Sequence, residues 1–260
     1  MAESGKEQLV DRAVRELRAR ILSGEFRPDQ HISEAAAGEL LNISRTPARE
    51  ALAQLVDEGL MVRSGSGRCT VRLFTRDDVM DAMELRGVLE GTVLRRAAER
   101  GAAPEVLRHC EGLICQIDTV LRDSPETLEF ERYASLNDRF HRQLARISGS
   151  GTMERELLRA IRLPFATPNA FPAELYDKPR VRRSFIRAQE QHRAILDAVR
   201  RGEGTRAEAL AREHARLAWE DYHAVMYDGQ DSVDAAPAFA MIAGESTPAE
   251  SSRLKQGGHQ

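Results

Sequence analysis

SRTPAREALAQLVDEGL, residues 44–60, decides how the whole chain is read. Ala48, Ala51, Leu52, Leu55 and Val56 recur at the i, i+3, i+4 and i+7 spacing that gives a helix one buried face. The opposite flank opens with Arg45 and Arg49, four residues apart, with Thr46 beside them. A surface helix ordinarily places acidic side chains in its first turns, where they complement the dipole. Basic side chains there ask for a negatively charged partner. Ser44 stands where an N-cap belongs, and Pro47 is tolerated because the first turn has no use for its missing N–H.

Reading outward gives the partner. Upstream, Val10, Val14, Leu17 and Ile21 make a helical face over residues 8–23, and the turn GEFRPDQHISE leads to a small helix around Ala35–Leu41. Downstream, LMVRSGSGRCTVRLF reads as two short β runs about a Gly-Ser-Gly turn, a hairpin. Three helices and a hairpin in about 70 residues are the winged helix-turn-helix plan, in which the third helix faces the DNA major groove. Residues 1–72 are assigned to it. The arginine fork matches guanine O6 and N7, and arginines at i and i+4 lie about 6 Å apart along the helix axis. Thr46 reaches a phosphate or a thymine methyl, and Ser44 stands at the same end. At the hairpin, Gly65 and Gly67 permit a tight tip from which Arg68 reaches the minor groove or a phosphate. From Gly59 to Arg76 there are four arginines and no acidic residue, within a chain of net charge -3. Attraction to DNA is therefore focused on one small region.

The 260 residues suffice for one large or two modest domains. No run approaches the length of a membrane span, and the N-terminus lacks an apolar signal core, which together point to the cytoplasm. The three cysteines form no CxxC pair, arguing against a zinc ribbon or disulfide framework. Beyond a linker at 73–76, only helices are expected, near 77–100, 104–122, 125–148, 152–163, 180–201 and 205–227. The fold class is mainly α: an N-terminal winged helix-turn-helix, then an all-α antiparallel helical bundle over 77–228. Residues 229–260, rich in Gly, Ser, Ala and Pro without a sustained period, are expected to be a disordered tail.

Three helices of the second half each place one histidine in an apolar stripe. His141 lies there with Asn137 among Phe130, Tyr133, Phe140 and Leu144; His192 among Phe185, Ala188, Ile195 and Val199; His214 among Ala207, Leu210, Leu217 and Ala218. A buried imidazole needs a hydrogen-bond partner. Three that converge, with an Asn oxygen, satisfy one another by holding a divalent metal, expected to be zinc or nickel, with positions left for water or a ligand. On the helix over 77–100, Arg86 and Glu90 occupy positions where apolar residues are expected. Burying a guanidinium is costly unless it is paired. Two explanations stand: an internal Arg86–Glu90 pair, or an Arg86 that awaits the carboxylate of a small acid.

SRTPAREALAQLVDEGL, with GEFRPDQHISE before it and a glycine-containing wing after it, resembles the GntR superfamily of bacterial transcription regulators over residues 8 to 72. The resemblance assigns DNA reading to Arg45, Thr46 and Arg49 and the wing tip to Gly67 and Arg68. It departs at Ala35, where the family often carries an arginine. NDRFH, EQHRAILDAV and AREHARLA resemble the FCD ligand-binding domain over 77–228, whose metal set maps onto Asn137, His141, His192 and His214. Asn137 stands where that family has Asp, and a neutral amide oxygen is the weaker ligand. MELRGVLEG is similar to the vanillate-repressor-like group, which implies Arg86 as an effector contact and an aromatic acid or other small carboxylate as effector. The resemblance implies a homodimeric repressor, nucleoid-associated in a bacterial cytoplasm, binding a palindromic operator with GT…AC-like half-sites and released by effector. Two other classes compete: a metal-dependent hydrolase, and a regulator for which the metal itself is the signal.

Overall fold

The computed structural model describes residues 2–65, 67–122, 129–166, 178–228 and 241–242. The head comprises α1 (Ala2–Leu22), β1 (His31–Ile32), α2 (Glu34–Leu41), α3 (Arg45–Asp57), β2 (Met61–Arg63) and β3 (Cys69–Val71). The hairpin pairs Met61 with Val71 and Arg63 with Cys69. It is not two-stranded, as the sequence suggests: β1 adds to β3, giving the antiparallel order β1-β3-β2. A strand of two residues has no periodicity to read, which is why it looked like part of a turn.

Local chemistry explains the helix boundaries. Ser33 caps α2, its hydroxyl accepting from the Ala36 N–H, and Asn42 ends that helix in the left-handed region at φ 53. Ser44 has the extended backbone of an N-cap, but its hydroxyl makes no capping hydrogen bond, contrary to the sequence reading. Beneath the sheet, Val14, Leu17 and Ile21 of α1 meet Ala48, Leu52 and Leu55 of α3. Burying each of the Val, Leu and Ile side chains contributes roughly 1.5–3 kcal/mol.

The second half is α4 (Arg76–Arg100), α5 (Pro104–Arg122), α6 (Phe130–Leu144), α7 (Gly151–Ile161), α8 (Lys178–Arg200) and α9 (Gly204–Asp228). Thr75 and Asp78 form a reciprocal capping box at the start of α4. α4 and α9 pack closely because Gly87 and Gly91 present no side chain to Ala215 and Glu208. A second core gathers Leu94 from α4, Leu113 and Ile117 from α5, Phe140 and Leu144 from α6, and Ile195 from α8.

Head and bundle share a continuous apolar seam. Phe74, Val79, Met83, Phe165 and Ala218 belong to the same buried cluster as the head core. Phe74 meets Phe165 edge-to-face at 5.1 Å, and Phe165 takes a φ of 62, a conformation bulky residues rarely adopt. Arg159 adds an ion pair to Asp57 at 2.8 Å. The stretch 73–76 is thus no free tether. Most of the expected disordered tail lies outside the described residues, but Met241 and Ile242 depart from that expectation: they are 0% and 5% exposed, and the Phe74 N–H donates to the Met241 carbonyl at 2.7 Å. Among the described residues, no helix is long and apolar enough to cross a membrane.

Candidate functional site

Two sites stand apart on this frame. On the head, α3 buries Pro47, Ala48, Ala51, Leu52 and Leu55. That leaves Ser44, Arg45, Thr46 and Arg49 exposed on its other flank. The Ser44 hydroxyl, exposed and not engaged in a cap, is free of the helix backbone. At the wing, the Ser64 N–H donates to the Arg68 carbonyl at 2.8 Å, the Gly67 N–H donates to the Ser64 carbonyl at 2.9 Å, and Gly67 takes φ 82. A side chain at that φ would be strained, so glycine closes the tip and leaves Arg68 exposed beside it.

The basic run is divided. Arg72 pairs with Asp78 and lies 4.9 Å from the Phe74 ring centre, and Arg76 lies 5.2 Å from that of Trp219. Both serve the seam. Arg63 and Arg68 are the members of the run that stay exposed on the wing.

In the bundle, His141 on α6, His192 on α8 and His214 on α9 come together, all buried, with their ligand atoms within 4.8 Å of one another. Nε2 of His214 lies 3.1 Å from Nε2 of His192 and 3.3 Å from Nε2 of His141. The opposite ring nitrogens explain this orientation. Nδ1 of His141 donates to Glu90 Oε1 at 2.6 Å, that of His192 to Gln189 Oε1 at 3.0 Å, and that of His214 to Gln191 Oε1 at 3.1 Å. The Gln189 amide cannot be reversed without loss, since its Nε2 donates to the Ile114 carbonyl at 2.9 Å and to Asp118 at 2.7 Å. With the protons on Nδ1, the three Nε2 lone pairs face each other.

Charge on His192 and His214 does not relieve that meeting. Burial, reinforced by His141, Arg86 and Arg193, holds His192 well below its ordinary pKa, and burial with the other two histidines does the same to His214. Both are neutral near pH 7. The two separations from His214 fit a divalent cation: nitrogens bonded to zinc at 2.0–2.1 Å in tetrahedral geometry stand about 3.3–3.4 Å apart. Asn137 fits too. It is 5% exposed, and its Oδ1 is a buried acceptor without a hydrogen-bond partner among the described residues.

Arg86 is 1% exposed, and its Nε and Nη1 have no hydrogen-bond partner among the described residues. The internal Arg86–Glu90 ion pair weighed from the sequence is not formed; Glu90 turns instead to His141. Burial would raise Glu90, but His141, through its hydrogen bond and its pull on the carboxylate, together with Arg86 and His214, brings it down to about 2. Arg86, Asn137, His141 and His214 line a cavity of about 20 Å³, walled on another side by Tyr133 and Phe185, whose rings stack at 3.7 Å. That volume holds about one water molecule. A larger occupant has to part the walls. The sequence singled out Arg86 and the histidines because each interrupts an apolar stripe. It gave no sign of Gln189 and Gln191, which sit at ordinary polar-looking positions and gain their role from the imidazoles they orient.

Comparison with known proteins agrees with both halves. Residues 9–71 match the model of the gntR family of bacterial regulatory proteins, and residues 81–217 match the FCD domain. The chain is 27% identical to an uncharacterised HTH-type transcriptional regulator of Streptomyces ambofaciens, over 79% of this chain and 81% of that protein. It is 26% identical to the HTH-type transcriptional repressor NanR of Enterobacter sp. (strain 638), over 84% and 87%. Among solved structures it resembles E. coli McbR/YncC, with a TM-score of 0.58 at 18% identity, covering 82% of this chain and 98% of that one, a likeness of fold. These families and relatives are transcriptional regulators, which is consistent with a protein that is not an enzyme. The chain belongs to the GntR family of bacterial transcription regulators, in the branch whose C-terminal half is an FCD domain.

Proposed function

We propose that the protein is a ligand-responsive repressor, acting in the bacterial cytoplasm at the nucleoid. As a homodimer it binds a palindromic operator through Arg45, Thr46 and Arg49 of α3, with Ser44, Gly67 and Arg68 contacting the DNA alongside. In the bundle, His141, His192 and His214, with Asn137 as the weaker fourth donor, would hold a divalent ion such as zinc or nickel. When bound, such an ion supplies Lewis acidity toward an oxygen ligand. Arg86 receives the carboxylate of a small acid, with an aromatic acid the expected class from the likeness to the vanillate-repressor-like group. The observation that carries this reading is a buried guanidinium whose Nε and Nη1 have no partner among the described residues, beside three Nε2 atoms that face one another. To shift DNA affinity usefully, the effector must prefer one conformation by a few kcal/mol, because equal binding to both shifts nothing.

His192→Ala is the test. It should reduce bound zinc and abolish any effector response while leaving operator affinity of the folded protein unchanged. Loss of operator binding together with thermal stability would make the histidines structural and sink the sensing reading.

A second reading is favoured by the cavity volume of about 20 Å³. Space for an ion or one water, but not for an aromatic ring, suits a regulator for which the metal itself is the signal. Titrating zinc and nickel into chelator-treated protein while following operator affinity separates the two; an unchanged affinity rules out direct metal sensing.

A further inference from the structure

We propose that Glu90 is a positioning residue for the histidine cluster: bonded to His141, it strengthens that imidazole as a donor and supplies, one side chain removed from the ion, the negative charge that Asn137 does not bring. The inference rests on the metal reading above and assigns a role to a residue outside the metal set.

The geometry is asymmetric. Of the three Nδ1 contacts, 2.6, 3.0 and 3.1 Å, the shortest is to Glu90, and the other two acceptors are neutral amides. Charged backing therefore falls on His141 alone, the imidazole one turn along α6 from Asn137. A carboxylate acceptor polarises the Nδ1–H bond more than an amide does and raises electron density at Nε2. A carboxylate directly on the ion would have delivered the same charge through a bond. Here it arrives through an imidazole, and the oxygen at position 137 stays neutral.

Glu90 is poorly explained as packing. It is 1% exposed, it interrupts the apolar stripe of α4, and its Oε2 is buried without a hydrogen-bond partner among the described residues. Leaving a carboxylate oxygen in that condition costs stability. A glutamine would give His141 the same acceptor with a smaller desolvation cost. The residue present adds a charge that the hydrogen bond alone does not require.

Glu90→Gln isolates that charge, because it keeps the shape and the acceptor. Zinc affinity of the full-length protein, measured by competition with a chromophoric chelator, should fall roughly 10-fold, the low end of the 10- to 100-fold range for mutating an outer-shell partner, because the acceptor is kept. Asn137→Asp in the Glu90→Gln background should recover most of the loss, while in the parent it should gain less. A Glu90→Gln affinity within about twofold of the parent, or a strictly additive double mutant, overturns the proposal. If Glu90→Gln does not fold, nitrogen-15 NMR of the zinc-loaded parent decides. The Nδ1–H proton of His141 should resonate clearly downfield of those of His192 and His214, and three equivalent shifts would overturn the assignment. Parent protein that takes up no zinc fails the metal reading itself, and the Glu90 role with it; zinc uptake indifferent to Glu90→Gln fails only the role.

Discussion

Arg49 and His192 sit in opposite environments, and each makes a different kind of prediction. Arg49 is exposed on the flank of α3. Arg49→Ala should weaken operator binding by roughly 10- to 100-fold, the 1–3 kcal/mol of one bidentate base contact, with a much smaller loss on random-sequence DNA. Equal losses on both DNAs, in gel shifts at matched salt, would mean that Arg49 touches phosphate only. His192 is buried and neutral, its pKa well below 6.5, and so is that of His214. The unfolded chain takes up protons as pH falls through 6.5, and the folded chain does not. The stability these groups contribute is therefore complete above that pH and is lost below it. Glu90, lowered from 4.5 to about 2, adds a second loss as pH falls through that interval. In chelator-treated protein the melting temperature should be flat above about pH 7 and fall steadily towards about pH 5; a flat profile over the whole span would contradict buried neutral imidazoles. Single residues were legible in the sequence wherever they broke a period, as Arg86, Asn137 and the three histidines do. Glu90 broke the same period, but its partner lies 51 positions away, so the nearer Arg86 looked the better match.

At the scale of elements, the packing of α4 on α9 is set by absent side chains. A Cβ at Gly87 would stand 2.7 Å from the Ala215 Cβ, and one at Gly91 would stand 3.0 Å from the Glu208 carbonyl oxygen. Gly87→Val should destabilise the protein by about 1–3 kcal/mol, since the two backbones must separate. Gly112 on α5 is the control: it is exposed, with open space where a Cβ would go. Gly112→Ala should stabilise by about 0.5–1 kcal/mol through helix propensity alone. Paired thermal melts check both signs. α6 is two-faced in a way that matters for signalling. Asn137 and His141 point inward, while Asp138 and Arg142 line a cleft of about 280 Å³ shared with Arg18, Glu58 and Leu60 of the head. Helix periodicity made these elements readable. It said nothing of β1, which is two residues long, or of which helices the glycines bring close, because neither leaves a repeating pattern in the chain.

For the whole molecule, the seam through Phe74 matters most, and it was the least legible part. The 73–76 stretch read as a linker because it is short and lies between patterns; only the tertiary fold reveals that Phe165, Ala218, Met241 and Ile242 close over it. Removing residues 229–260 should therefore do more than trim a polar end. Two buried apolar side chains contribute roughly 3–6 kcal/mol, against about 2–4 kcal/mol to order their backbone. A net loss of about 1–2 kcal/mol should lower the melting temperature by roughly 2–8 °C. Calorimetry that finds the truncated and full-length chains equally stable would remove Met241 and Ile242 from the core.

The same seam sets terms for anyone hoping to re-target this regulator by grafting. A hybrid cut after Arg72, with a foreign reading head joined to this bundle, would break the Arg72–Asp78 pair and confront Phe74, Phe165 and Met241 with surfaces they did not evolve against. Transplanting specificity should succeed instead by exchanging Arg45, Thr46 and Arg49 within the existing scaffold. Those three side chains are exposed on α3, clear of the apolar contacts that hold the two halves together.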